Sequence, residues 1–99
     1  MEMTGFIAAG HRDIVDGAPY DIPMRGMPLP AKINVRMTDA DIAAGTQITV
    51  TLSDNGVDFD DVLAVVTDKH WQDTLLSGVC TIRVQRTAGT GTGATVGIC

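Results

Sequence analysis

Ninety-nine residues with a net charge of −5, and aromatic side chains only at Phe6, Tyr20, Phe59 and Trp71, fit one small domain with a thin core of Val, Ile, Leu and Met. The acidic balance, with a pI near 4.6, argues against nucleic acid as a partner, because such partners are gripped by Lys and Arg clustered on phosphates. No run approaches the roughly 20 apolar residues that cross a bilayer, which argues against a membrane partner.

Residues 1–30 stand apart. The start Met1-Glu2-Met3 is not basic, and Phe6-Ile7-Ala8-Ala9 is too short for the apolar part of a secretion signal, so the chain is expected to fold in a cytoplasm. Pro19, Pro23, Pro28 and Pro30 alternate with Gly5, Gly10, Gly17 and Gly26. Proline fixes φ and removes a backbone donor, so neither a helix nor a regular central strand is expected here. The segment also carries Phe6, Ile7, Ile14, Val15, Ile22, Met24, Met27 and Leu29, which is too apolar for a free tail. The expectation is an extended arm over 1–30, lying on its own sheet or on a neighbouring copy, ahead of a β-domain over 31–99.

From residue 31 the hydrophobic period becomes two. Ala31, Ile33, Val35 and Met37 alternate with Lys32, Asn34 and Arg36, which predicts a half-buried strand. Thr38-Asp39-Ala40-Asp41-Ile42 suits one helical turn ended by Gly45. Ile48, Val50 and Leu52 alternate with Gln47, Thr49 and Thr51 in a second strand. Ser53-Asp54-Asn55-Gly56 has the chemistry of a tight hairpin turn. The apolar, β-branched run from Val62 to Thr67 reads as a buried strand, and residues 68–78 as a polar loop or short helical turn around Trp71 that docks Leu75 and Leu76.

Thr81–Arg86 and Ala94–Ile98 complete the strands, with the small residues of Thr87–Gly93 between them. These two strands are expected to pair as the last hairpin, and placing Ile82, Val84, Val96 and Ile98 all on the core side demands pairings such as Ile82 with Ile98. That register puts Cys80 and Cys99 on opposite faces, so both are expected as free thiols, in keeping with a reducing compartment. Short strands at close spacing without an amphipathic helix predict an all-β fold, a small sandwich or curled barrel.

Residues that resemble reactive motifs fail on context. His11-Arg12-Asp13 matches part of a kinase catalytic loop, yet the glycine-rich loop, strand lysine and metal-binding Asp-Phe-Gly are missing. His11, His70, Cys80 and Cys99 include no closely spaced pair of the kind that seeds a zinc site. Asp54, Asp58, Asp60 and Asp61 crowd one turn, with Asp39 and Asp41 elsewhere, but no Glu follows at the calcium-loop offset. Gly89, Gly91 and Gly93 lack the Lys-Ser/Thr of a phosphate loop and join two strands. Arg83 and Arg86 on one strand, with Lys32 and Arg36 on another, suit a solvated sheet face better than a basic strip. No catalytic residue, no cofactor and no metal is expected, and a structural or interaction role is. As a ligand-binding module, the chain would offer Trp71 and Tyr20 as contacts.

The segment Val79-Cys80-Thr81-Ile82-Arg83-Val84-Gln85-Arg86-Thr87-Ala88-Gly89-Thr90-Gly91-Thr92, closing with Val96-Gly97-Ile98-Cys99, resembles the last hairpin of short structural proteins of tailed-bacteriophage virions. In that family an Arg-x-x-Arg-Thr-Ala-Gly-Thr-Gly-Thr hairpin often follows a turn like Ser53-Asp54-Asn55-Gly56. The resemblance covers residues 46–99 and departs at Asp58–Asp61, where Thr and Trp are more usual. It carries no catalytic residues. It implies a head decoration or minor capsid protein in the virion, assembled in the host cytoplasm and bound to the major capsid protein or other virion proteins. A tail, fibre or adaptor component is the alternative. By analogy with local three-fold positions on a shell, a homotrimer is the expected oligomer.

Overall fold

A computed structural model describes residues 11–14, 17–24, 30–75 and 81–98. Among them run the strands β1 (His11–Ile14), β2 (Tyr20–Pro23) and β3 (Ala31–Arg36), the short helix α1 (Asp39–Ala43), then β4 (Gln47–Ser53), β5 (Asp61–Val66), β6 (His70–Leu75), β7 (Thr81–Ala88) and β8 (Ala94–Ile98). The strands form two four-stranded sheets, one ordered β1-β8-β3-β6 and the other β2-β7-β4-β5. All the pairings are antiparallel. Only the β4–β5 link stays within a sheet; each other connection changes sheet. This strand order is that of an eight-stranded jelly roll, and the all-β expectation holds in its sandwich form.

Period-two patterning builds the core. On β3, Ala31, Ile33 and Val35 are buried while Lys32 and Arg36 are exposed. Within the sheets, Ile33 faces Ile98, Val35 faces Val96, Val50 faces Val84, and Leu52 faces Ile82. Opposed residues on a pleated sheet share a face, so these pairs meet between the two sheets. Fully burying such a Val or Ile side chain contributes about 1.5–3 kcal/mol. Helix α1 is short but well capped: the Thr38 hydroxyl accepts from the Asp41 N–H, and the Asp41 carboxylate accepts from the Thr38 N–H at 2.8 Å. Gly45, at φ 72°, follows it and turns the chain into β4.

Two stretches of the N-terminal segment, His11–Ile14 and Tyr20–Pro23, are strands of the molecule's own sheets. β1 pairs with β8 and β2 pairs with β7, each at a sheet edge. Edge positions are where proline is tolerated, and Pro23 closes β2. Ile22 and Met24 enter the core from this segment.

Three expectations need correction. Residues 70–75 form a strand, not a loop or turn. Its inward positions, opposite Val35, Ile33 and Ala31, are Trp71, Asp73 and Leu75. An aspartate at an inward position breaks the apolar alternation, and inward charges on edge strands also discourage pairing with other chains. Second, β7 and β8 are not a hairpin: they lie in different sheets, with Ile82 opposite Ile22 and Leu52, and Ile98 opposite Ile33. All four residues of the register argument still face the core, because in a sandwich both sheets contribute inward faces. The expectation of free thiols falls on Cys80 and Cys99, which lie outside the described residues. Third, the hairpin turn at Ser53-Asp54-Asn55-Gly56 is not tight. β4 and β5 do pair and Gly56 takes the positive φ, 78°, but the connection is a longer loop running to Asp60.

Candidate interaction surfaces

The glycine-rich crossover from β7 to β8 is tied to α1 by a polar cluster. Asp41 is 1% exposed and Thr46 is 3% exposed. The Asp41 carboxylate accepts from the Thr38 N–H, the Thr38 hydroxyl and the Gly93 N–H at 2.8, 2.9 and 3.0 Å. The Thr46 hydroxyl accepts from the Gly91 N–H at 2.9 Å, and the Arg86 guanidinium donates to the Gly91 carbonyl at 2.7 Å. Burial pushes the Asp41 carboxyl up. The Thr38 and Gly93 N–H groups, the Thr38 hydroxyl and the Arg86 charge outweigh it and hold the group below its ordinary value.

Two glycines here are required. Gly89 sits at φ 78° with its missing side chain aimed at the Thr46 backbone, and any Cβ on Gly91 would collide with the Asp41 carboxylate and the Thr46 hydroxyl. The glycines therefore serve close packing of one loop on another, and the N–H groups of Gly91 and Gly93 are spent on protein acceptors instead of a phosphate.

The opposite end of the sandwich carries the acidic loop. Ser53 and Asn55 organise it locally. The Ser53 hydroxyl accepts from the Gly56 N–H, and the Asn55 carbonyl accepts from the N–H groups of Val57 and Asp58 at 2.8 Å each. Such side-chain bonds to nearby backbone N–H groups are the turn chemistry of Asn and Ser. Asp54, Asp58, Asp60 and Asp61 rim a shallow depression of about 250 Å³ floored by Leu52. No group of three or more His, Cys, Asp or Glu side chains among the described residues is placed to hold a metal ion.

The basic residues do not form one strip. Arg83 points outward and makes a two-pronged pair with Asp21 of β2, at 2.7 and 3.0 Å, while Phe59 of the acidic loop lies 3.9 Å from its guanidinium. The Arg83 hydrogen bond, opposed by burial and aided by its charge, keeps Asp21 below the ordinary carboxylate range. Arg86 faces the other way, because alternation along β7 puts it on the side of Ile82 and Val84, opposite core-facing Ile48. Lys32 and Arg36 stand on the outer face of the other sheet, Arg36 directly opposite His70.

Tyr20 and Trp71 do not make a joint ligand surface. Tyr20 faces Val84 at one sheet's β2 edge and Trp71 faces Val35 at the other sheet's β6 edge, and both pack against the core. His11 lies on β1, in which the backbone alone is described.

The feature sequence reasoning missed is apolar exposure on β5. A bulge at Leu63 lets Val62 and Val65 face the same way, opposite outward Thr51 and Thr49. Val57, Val62 and Val65 are 76%, 59% and 51% exposed. The continuous apolar run suggested a buried strand; β5 instead lies at a sheet edge with its outer face exposed, which the composition of the run does not mark. No protein-family model, no curated protein and no solved structure matches this chain.

Proposed function

We propose that this chain is a structural subunit of a bacteriophage virion, a decoration or minor capsid protein that acts as a small homo-oligomer, with a trimer as the expected form. The observation that carries the reading is the strand order β1-β8-β3-β6 over β2-β7-β4-β5. The jelly roll is an architecture that viral capsid domains use repeatedly, and its use here is an argument by analogy of fold. The C-terminal resemblance, residues 79–92 and 96–99, supports the same reading from the sequence side. In this role the chain does no chemistry. It binds the major capsid protein or other virion proteins after synthesis in the host cytoplasm.

Exposed valines on an edge strand suit such work. Apolar side chains left outside a small domain mark a surface that a partner covers. The acidic exterior keeps many copies soluble before they assemble.

Co-sedimentation tests the proposal. Purified chain is expected to pellet with assembled phage heads and to stay in the supernatant with unassembled capsid subunits. Equal behaviour with both, or with neither, would count against a decoration role. Labelling confined to one vertex or to the tail would transfer the chain to the tail, fibre or adaptor class.

A further inference from the structure

We infer that two copies of this chain associate head to tail, the β5 end of one docking on the outer β3–β6 face of the next. The inference deepens the assembly reading above and rests on it.

The two surfaces differ in sign and lie on different sheets. On one sheet, Asp54, Asp58, Asp60 and Asp61 are exposed in the loop before β5 and at its start, Val57 is exposed in that loop, and Val62 and Val65 are exposed along the outer face of the strand. On the other sheet, Lys32 and Arg36 project from β3 beside exposed His70 of β6. The ion pairs among the described residues are Lys69–Asp39 and Arg83–Asp21, and they engage neither of these patches. Both patches thus keep their charge for a partner.

The edges of the sandwich narrow the choice of surface. β2 is closed by Pro23 and the Asp21–Arg83 pair, and β6 carries Asp73, a charge exposed at the edge opposite buried Ile33. β5 has a bulge yet leaves Val62 and Val65 outside, so it is the least protected of these three edges. Lysine and arginine bury aliphatic stems while their heads stay polar. Stems of Lys32 and Arg36 from a second copy would cover the valines, and their heads would reach the aspartates. A contact between two unlike surfaces is heterologous, and it closes into a ring when the rotation allows. That is how a trimer would arise from it.

A charge swap tests this. Wild type, K32E/R36E, D58K/D60K and the chain with all four changes are compared by sedimentation equilibrium, after melting curves establish that each is folded; all four positions are exposed. Wild type is expected to associate. Each double reversal should raise the dissociation constant about tenfold or more, and the combined chain should regain most of the loss. One reversal makes the chain more acidic and the other less, so a general charge effect would move the two in opposite directions. V62S/V65S should also weaken association. Reversals that leave the mass unchanged, or a combined chain as weak as its parents, would overturn the docking mode and leave the assembly reading standing. A wild type that stays monomeric at every concentration would overturn it as well, while co-sedimentation with heads judges the assembly reading separately.

Discussion

The two ends of the sandwich carry loops that look alike as sequence. Thr87–Gly93 and Asp54–Asp60 are equal in length, polar and glycine-containing. Their physics differs. The first is bonded across the chain, Gly91 to Thr46 and Gly93 to Asp41, through a carboxylate withdrawn from water. The second is bonded to itself through Ser53 and Asn55, and its carboxylates remain in solvent. A buried acid held by several donors is expensive to disturb, whereas exposed acids contribute little to stability and remain free to meet a partner. One end therefore holds the fold together, and the other leaves its carboxylates in solvent.

Substitution at the buried end should produce the largest effects. Asp41→Ala leaves the Thr38 and Gly93 N–H groups unpaired and is expected to destabilise by about 3 kcal/mol in urea unfolding. A loss below about 1 kcal/mol would mean that water replaces the carboxylate and that the two ends are more alike than the geometry implies. Gly89→Ala should follow, at about 2 kcal/mol or more, since it adds a Cβ at positive φ against the Thr46 backbone. On the acidic side, Asn55→Ala removes the acceptor for Val57 and Asp58 and should cost about 1 kcal/mol. Asp60→Asn should change stability by no more than about 0.5 kcal/mol.

Acid sharpens the same contrast. The Asp41 carboxyl sits below its reference value of 3.8 in the folded chain. A depressed folded pKa means stability that is present above the reference value and lost as pH falls through the folded one. Unfolding free energy should thus drop below pH 3.8, and Asp41→Asn should flatten that drop. Asp21, also lowered but lying on the surface beside Arg83, should contribute a smaller share. An unchanged acid profile in Asp41→Asn would remove Asp41 as its source.

Much of the fold was legible where side chains alternate over a buried face. β3, β4 and β8 follow from their period of two, and the capping residue Thr38 announces α1. β6 was not legible, because an edge strand with Asp73 inward has no clean period. The partners of β7 were missed for another reason. A glycine-rich link reads equally well as a hairpin turn or a crossover, and only the distant Asp41 and Thr46 decide between them. The exposed apolar surface of β5 was the least legible part. Val62 and Val65 share a face only because of the bulge at Leu63, and a bulge inserted in an apolar run leaves no mark on composition.

Light scattering on the wild-type chain across a concentration series tests the assembling-subunit account most directly. The account predicts a stable species near three times the 10.4 kDa chain mass, persisting on dilution. A mass of one chain at every concentration, with no gain on raising it, would contradict the claim that this domain works as an oligomeric building block.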